Sequence, residues 1–385
     1  MATQRSGRSL GCVAWPLYDI SGSRFNVRVP HLPVAASLYV MFGRIVGLFV
    51  PVFLCLFAGF AGELLYADDG GGEKAQSRSY TNPVARQGAD PWVIRWETNF
   101  YFCQSWSDGV WVNRASRLEE IGSDHWKCVW QAPPATAWSK QVWAPELHFL
   151  AGKWYVYVAA DNGDNANHRM YVLEGSSSDP QAPFNFKAKI TSPDDHWAID
   201  GTVLQMEDQK LYFIWAGWPG TNDGVQNLYI APMSDPWTIN GQRVCISQPD
   251  RIWEQHDFPH INEGPETLWH GGQLFIIYSA SGFWDDNYCL GELRWNGGDV
   301  LDAKSWVKNP EPVFARTADV LGPGHCSFVQ SPDNREDWII YHAHTGPGTN
   351  RRDVRIQRFN WHADGSPNFG EPVSPRKPLP VPSGE

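Results

Sequence analysis

Residues 90–106 read DPWVIRWETNFYFCQSW: a polar residue, a short apolar run, a turn, and a second run crowded with aromatics. The pattern returns in PELHFLAGKWYVYVAAD (145–161), DGTVLQMEDQKLYFIWAGW (200–218), EGPETLWHGGQLFIIYSASG (263–282) and HCSFVQSPDNREDWIIYHAH (325–344). The polar residues Asp90, Glu146, Asp200, Glu263 and His325 are 56, 54, 63 and 62 positions apart. That period is longer than the common propeller repeats but suits four strands with generous loops. Five such units predict an all-β, five-bladed β-propeller over residues 88–380. The first strand of each propeller blade lines the central axis, so equivalent positions meet at one channel mouth. The five polar residues are expected to converge there. Four acids and a His in one place repel one another, which points to chemistry rather than stability.

Composition agrees with this class. The chain has 385 residues, with 35 Gly, 29 Pro and 14% aromatic residues, a mixture that favours short strands and tight turns over long helices. The net charge is −11, and residues 1–62 hold five Arg against one Asp, leaving −15 on the remainder. A domain that acidic is repelled by a phosphate backbone, so nucleic acid is excluded as a partner and a neutral polymer fits better. Residues 45–61, IVGLFVPVFLCLFAGFA, follow Arg44 and precede small residues, as in a secretory signal. Residues 1–40 are then expected to be a non-native extension ahead of a true start at Met41, and residues 41–67 a signal peptide or anchor. A flexible linker is expected at 68–87. The product would be secreted or periplasmic, with a membrane as partner only if the segment stays uncleaved. Five of the seven Cys lie beyond it, without any CxxC; Cys103 and Cys128 could pair in an oxidising compartment.

Converging carboxylates suit glycosidic hydrolysis. One carboxylic acid protonates the leaving oxygen while a carboxylate activates water or attacks directly, and neighbouring charge keeps the two pKa values apart. The motifs ADPWV (89–93), WAPEL (143–147), IDGTV (199–203), NEGPE (262–266) and GPGHCSFV (322–329) together resemble those of glycoside hydrolase family 43. The likeness runs from about residue 88 through all five repeats.

The resemblance implies an inverting enzyme in which Asp90 is the general base, Glu263 the general acid, and Asp200 the residue that orients the acid and raises its pKa. Glu266 is the rival for the acid; three positions away on an extended strand, it is expected to face the other way. Trp143 resembles the family's pocket aromatic, with blade packing as the alternative. Glu146 is a candidate to line the mouth, and Arg355 resembles the family's fifth-blade Arg that reaches the substrate and the catalytic acids, with Arg352 and Arg358 as nearby alternatives. His325 matches the family's axial His, a candidate structural metal ligand beside calcium held largely through water; no cofactor is required for catalysis. The implied substrate is plant cell-wall arabinan or arabinoxylan, with terminal α-L-arabinofuranosyl residues released. β-Xylosidase and endo-arabinanase action on the same machinery, or a glycan-binding propeller without catalysis, are the alternatives.

Overall fold

A computed structural model of the protein describes residues 78–385. The extension read at 1–40 and the signal or anchor read at 41–67 lie outside the described residues. Within them the chain is all-β, its only helical segments being four three-residue 3-10 turns. Five antiparallel four-stranded units follow one another. The first comprises Trp92–Trp96, Asn99–Trp106, Gly109–Ala115 and Lys127–Gln131. The second runs Lys140–Leu150, Lys153–Asp161, Arg169–Gly175 and Phe184–Ile190. In the third, Ala198–Gln205, Leu211–Gly217, Val225–Asp235 and Val244–Ser247 pair in turn. The fourth is His260–His270, Gln273–Ala280, Cys289–Trp295 and Trp306–Lys308. The fifth is Gly324–Gln330, Asp337–His344, Arg352–Trp361 and Pro367–Asn368. Two parallel pairs, Val225 with His260 and Gln226 with Ile261, join the third to the fourth.

Inner strands such as Lys153–Asp161 are buried at eight of nine positions. Each is covered on both faces by neighbouring units, so it reads as a nearly unbroken apolar run instead of an alternating one. Trp92 and Ile94 of the first unit pack with Trp154 and Val156 of the second. Tyr157 and Met170 of the second share a cluster with Phe213 of the third and Ile276 of the fourth. Phe275 and Ile277 meet Phe328 and Ile339 of the fifth, and Trp338 and Ile340 of the fifth meet Val93 and Phe102 of the first.

Each unit enters its first strand through a residue with left-handed backbone: Asp90 (φ 41°), Ala144 (38°), Asp200 (55°), Gly264 (59°) and His325 (52°). In units two to five the pairing with the second strand slips at that point, marking a β-bulge. The bulge corrects the repeat register read from sequence. Ala144, not Glu146, corresponds to Asp90, and Glu263 stands one place before its unit's apex, as Trp143 does in the second unit. The expectation that Glu263 and Glu266 face opposite ways also fails. They pair with Ser279 and Ile277, two residues apart, because the bulge absorbs the odd residue between them.

The stretch read as a linker is structured over its described part, 78–87. Ser79–Tyr80 pairs with Leu379–Pro380. The Asn82 side chain accepts from Ile356 N (3.0 Å) and donates to Ile356 O (2.9 Å), and Val354 N donates to Ala85 O (2.8 Å). Cys128 is a free, exposed thiol, so the Cys103–Cys128 bridge is not made.

Candidate active site

Asp90, Asp200, Glu263 and His325 are all nearly buried, at 3–5% exposure, and the strand entrances bring them together. Asp90 Oδ1 lies 2.9 Å from Arg352 Nη1 and 2.9 Å from His325 Nδ1. Burial alone would push this carboxyl up, but the Arg352 charge and then His325 outweigh it and hold it well below the usual carboxylate range. His342 Nδ1 also comes within 3.1 Å of Oδ1. That nitrogen accepts the Asp90 amide N–H at 2.9 Å, and burial pushes the imidazole down to about 3, so the contact is not an ion pair.

From His325 the contacts continue to Glu263. Tyr288 OH lies 3.1 Å from His325 Nδ1 and donates to Glu263 Oε1 at 2.7 Å. The Tyr288 ring is parallel to His342, with centroids 5.4 Å apart, and His325 N donates to Ser279 Oγ at 2.8 Å. Asp200 Oδ2 accepts from Gly264 N at 3.2 Å, which ties it to the residue beside Glu263, while its other oxygen is 4.0 Å from His325 Nε2. Oxygens of Asp200 and Glu263 and a nitrogen of His325 all lie within 4.8 Å of one another. Four of the five strand entrances are non-glycine residues held at positive φ, a conformation costing about 1–3 kcal/mol each that concentrates at working sites.

The remaining expected residues sit differently. Trp143 is partly buried and stacks on His168, centroids 3.9 Å apart and planes 28° apart, so one indole face is backed by an imidazole. Glu146 is fully buried and bonds His148 Nε2, two places along its own strand, at 2.8 Å. Arg355 is buried with Nε and Nη1 lacking hydrogen-bond partners among the described residues. It lies three positions from Arg352 on an unbulged strand, so the two face opposite ways and it is Arg352 that reaches Asp90. Tyr288 and His342 complete the cluster without having been singled out, and Arg352, read as an alternative to Arg355, takes the place beside Asp90. Their contacts with Asp90, Glu263 and His325 span 25 to 262 residues of chain, and no local motif encodes such distances.

Two groups place three potential metal donors close together: Asp90, His325 and His342, and Asp200, Glu263 and His325. Calcium takes six to eight oxygens. The first group offers two imidazoles and a carboxylate already bound to Arg352, and the second uses the carboxylates that contact Tyr288 and Gly264. These donors do not fit a directly coordinated calcium.

An anionic carboxylate fixed by arginine, a second carboxyl in contact with a phenol, and a third beside it form an acid–base centre on an all-β frame. Such an arrangement can carry out hydrolysis through paired carboxyl groups. The sequence profile of Glycosyl hydrolases family 43 matches residues 80–367, and the chain belongs to that family. It is 36% identical over 313 residues to an extracellular exo-α-(1→5)-L-arabinofuranosidase of Streptomyces avermitilis, covering 77% of this chain and 64% of that protein. It is 35% identical to α-L-arabinofuranosidase 43 of Humicola insolens, covering 79% and 65%. The chain therefore spans just under two thirds of the length of these two relatives. The crystal structure of an α-L-arabinofuranosidase from Lactobacillus brevis superposes with a TM-score of 0.72 at 34% identity, covering 77% of this chain and 98% of that one. Among the described residues no helix is long and apolar enough to cross a membrane.

Proposed function

We propose that the protein is a secreted, inverting α-L-arabinofuranosidase built as a five-bladed β-propeller, releasing terminal arabinofuranosyl units from plant cell-wall arabinan or arabino-oligosaccharides. The observation that carries this reading is the continuous contact path from Asp90 through His325 and Tyr288 to Glu263. Its three links of 2.9, 3.1 and 2.7 Å bound the separation of the two carboxyl oxygens. That bound lies below the upper limit of about 9.5 Å for an inverting pair. Packing of the fifth unit against the first supports the five-bladed arrangement.

In the reaction, Glu263 gives its proton to the glycosidic oxygen as the C–O bond breaks. Water attacks the anomeric carbon from the opposite side, and Asp90 takes the water's proton. Arg352 keeps Asp90 ionised for that step. Asp200, beside Glu263 and anchored on Gly264 N, disfavours a second negative charge and so helps the acid hold its proton. The face of Trp143 that is not backed by His168 takes the sugar, while Glu146, paired with His148 on its own strand, and Arg355, facing away from Arg352, have structural parts. Carboxylates and water suffice, so EDTA is expected to leave turnover unchanged; a loss would give a metal a part in the reaction.

The test is hydrolysis of 4-nitrophenyl α-L-arabinofuranoside and β-D-xylopyranoside by the unaltered protein, Asp90→Ala and Glu263→Ala. The arabinoside is expected to be the better substrate, with each variant losing about 10²–10⁴-fold or more in kcat. Preference for the xyloside would make the protein a β-xylosidase, and preference for internal linkages of arabinan an endo-arabinanase. Sugar binding without turnover of either would make it a glycan-binding propeller.

A further inference from the structure

In the reaction above the leaving oxygen receives its proton from Glu263. Whatever sugar is attached to that oxygen therefore lies on the Glu263 side of the pocket. Two chain segments form that side. Asn262 and Glu263 pair with Ala280 and Ser279, so the loop 281–288 leaves the sheet at Glu263's end, and residues 255–259 enter at the same end. Both segments expose an aromatic there: Phe258 is 70% and Trp284 38% exposed.

Trp284 is held in place. Trp284 Nε1 donates to the Asp257 carboxylate, which ties the loop to the residue next to Phe258. The indole lies against Gly282, where a Cβ would come within 2.4 Å of it, so only glycine lets it fold back. Phe283 meets Trp284 edge-on at 5.2 Å and carries Arg352 over its own ring at 4.2 Å. His344 anchors the loop through the Phe283 carbonyl (2.7 Å) and Asp286 (3.0 Å). Four residues beyond Trp284 the loop delivers Tyr288 to Glu263. The same loop thus contacts both catalytic carboxyl groups, one through Arg352 and one directly, and holds an exposed indole at the rim.

We propose that Phe258 and Trp284 form the leaving-group subsite, stacking on the C–H faces of the arabinose units that remain on the polymer after cleavage. An aromatic ring supplies a large apolar contact to a sugar face at little cost in side-chain freedom. The rings offer apolar faces for a neutral sugar chain, and the loop that carries Trp284 also carries Tyr288, the residue in contact with Glu263. It makes the enzyme favour arabinosides whose aglycone is itself a sugar chain.

This inference rests on the glycosidase reading. Its test uses the full chain and compares kcat/KM on α-1,5-arabinotriose with that on methyl α-L-arabinofuranoside, whose leaving group has no sugar to stack. In Trp284→Ala and Phe258→Ala the ratio of the two is expected to fall about tenfold, the equivalent of 1.4 kcal/mol. Trp284→Phe, which keeps a ring, is expected to recover part of it. An unaltered ratio, including equal losses on both substrates, overturns the subsite. If the unaltered protein turns over neither substrate, it is the glycosidase reading that falls. Calorimetric binding of arabinotriose then decides the rim, weaker binding by Trp284→Ala supporting it and equal binding overturning it.

Discussion

Arg352 is the residue whose removal should speak most directly about Asp90. With its guanidinium 2.9 Å away and His325 on the same oxygen, the Asp90 carboxyl is held well below the usual range. A carboxyl with a depressed folded pKa adds stability that is present above its unfolded value and is lost as pH falls through the folded one. Asp90, the proposed base, is ionised over that same upper range. In Arg352→Gln the opposing charge is gone while burial remains, so the Asp90 pKa should rise. The acid limb of the kcat/KM profile on an arabinofuranoside is expected to move to higher pH; a limb that stays in place would mean that Asp90 does not govern it. Histidines are a contrasting case. Burial pushes His148 and His342 down to about 3 and His168 to about 4, so the imidazole behind Trp143 is neutral at ordinary pH and should hold its stack across the working range.

At the scale of the element, the left-handed entrance of each first strand, bulged in units two to five, decides where side chains go. Gly324 precedes His325, and a Cβ there would lie 2.4 Å from the Tyr288 ring. Gly324→Ala must push Tyr288 away from Glu263 and His325, so kcat is expected to fall while overpacking costs about 1–3 kcal/mol of stability. Steady-state kinetics paired with thermal unfolding checks both; a stable variant with full kcat would show that the phenol is dispensable. The bulges also explain what could be read from the chain. The motif at the head of each unit was legible because it combines a turn, a polar residue and an aromatic strand within some 20 positions. Its phase was not, since one inserted residue per strand is invisible to period-two reasoning and shifted Glu146 into a role that belongs to Ala144. Asp90, Asp200, Glu263 and His325 survived that error because bulge apex and neighbour lie at the same rim. Tyr288 and Arg352 were harder, being placed by loops and strands of units that meet Asp90 and Glu263 only in three dimensions.

For the molecule as a whole, the fifth unit is bound to the beginning of the described chain. Asn82, nearly buried, satisfies both the amide and the carbonyl of Ile356 with one side chain. Asn82→Ala leaves those two backbone groups without that partner and is expected to destabilise the protein by about 1–3 kcal/mol, seen as a lower thermal unfolding midpoint. A midpoint equal to that of the unaltered protein would show that water replaces the amide at no cost. The linker expectation missed this because residues 78–87 carry little apolar signal, and their partners lie some 270 positions downstream. The same stitching bears on how the protein folds. Tyr80 pairs with Leu379, so the segment that leaves the ribosome early must wait for one made almost 300 residues later. The contact order of that pairing is very high, and the loop-closure entropy it demands grows with separation. Units one to four are built from neighbours in sequence and can zip up during synthesis, whereas the seam between residues 79–85 and the downstream strands can form only once those strands exist.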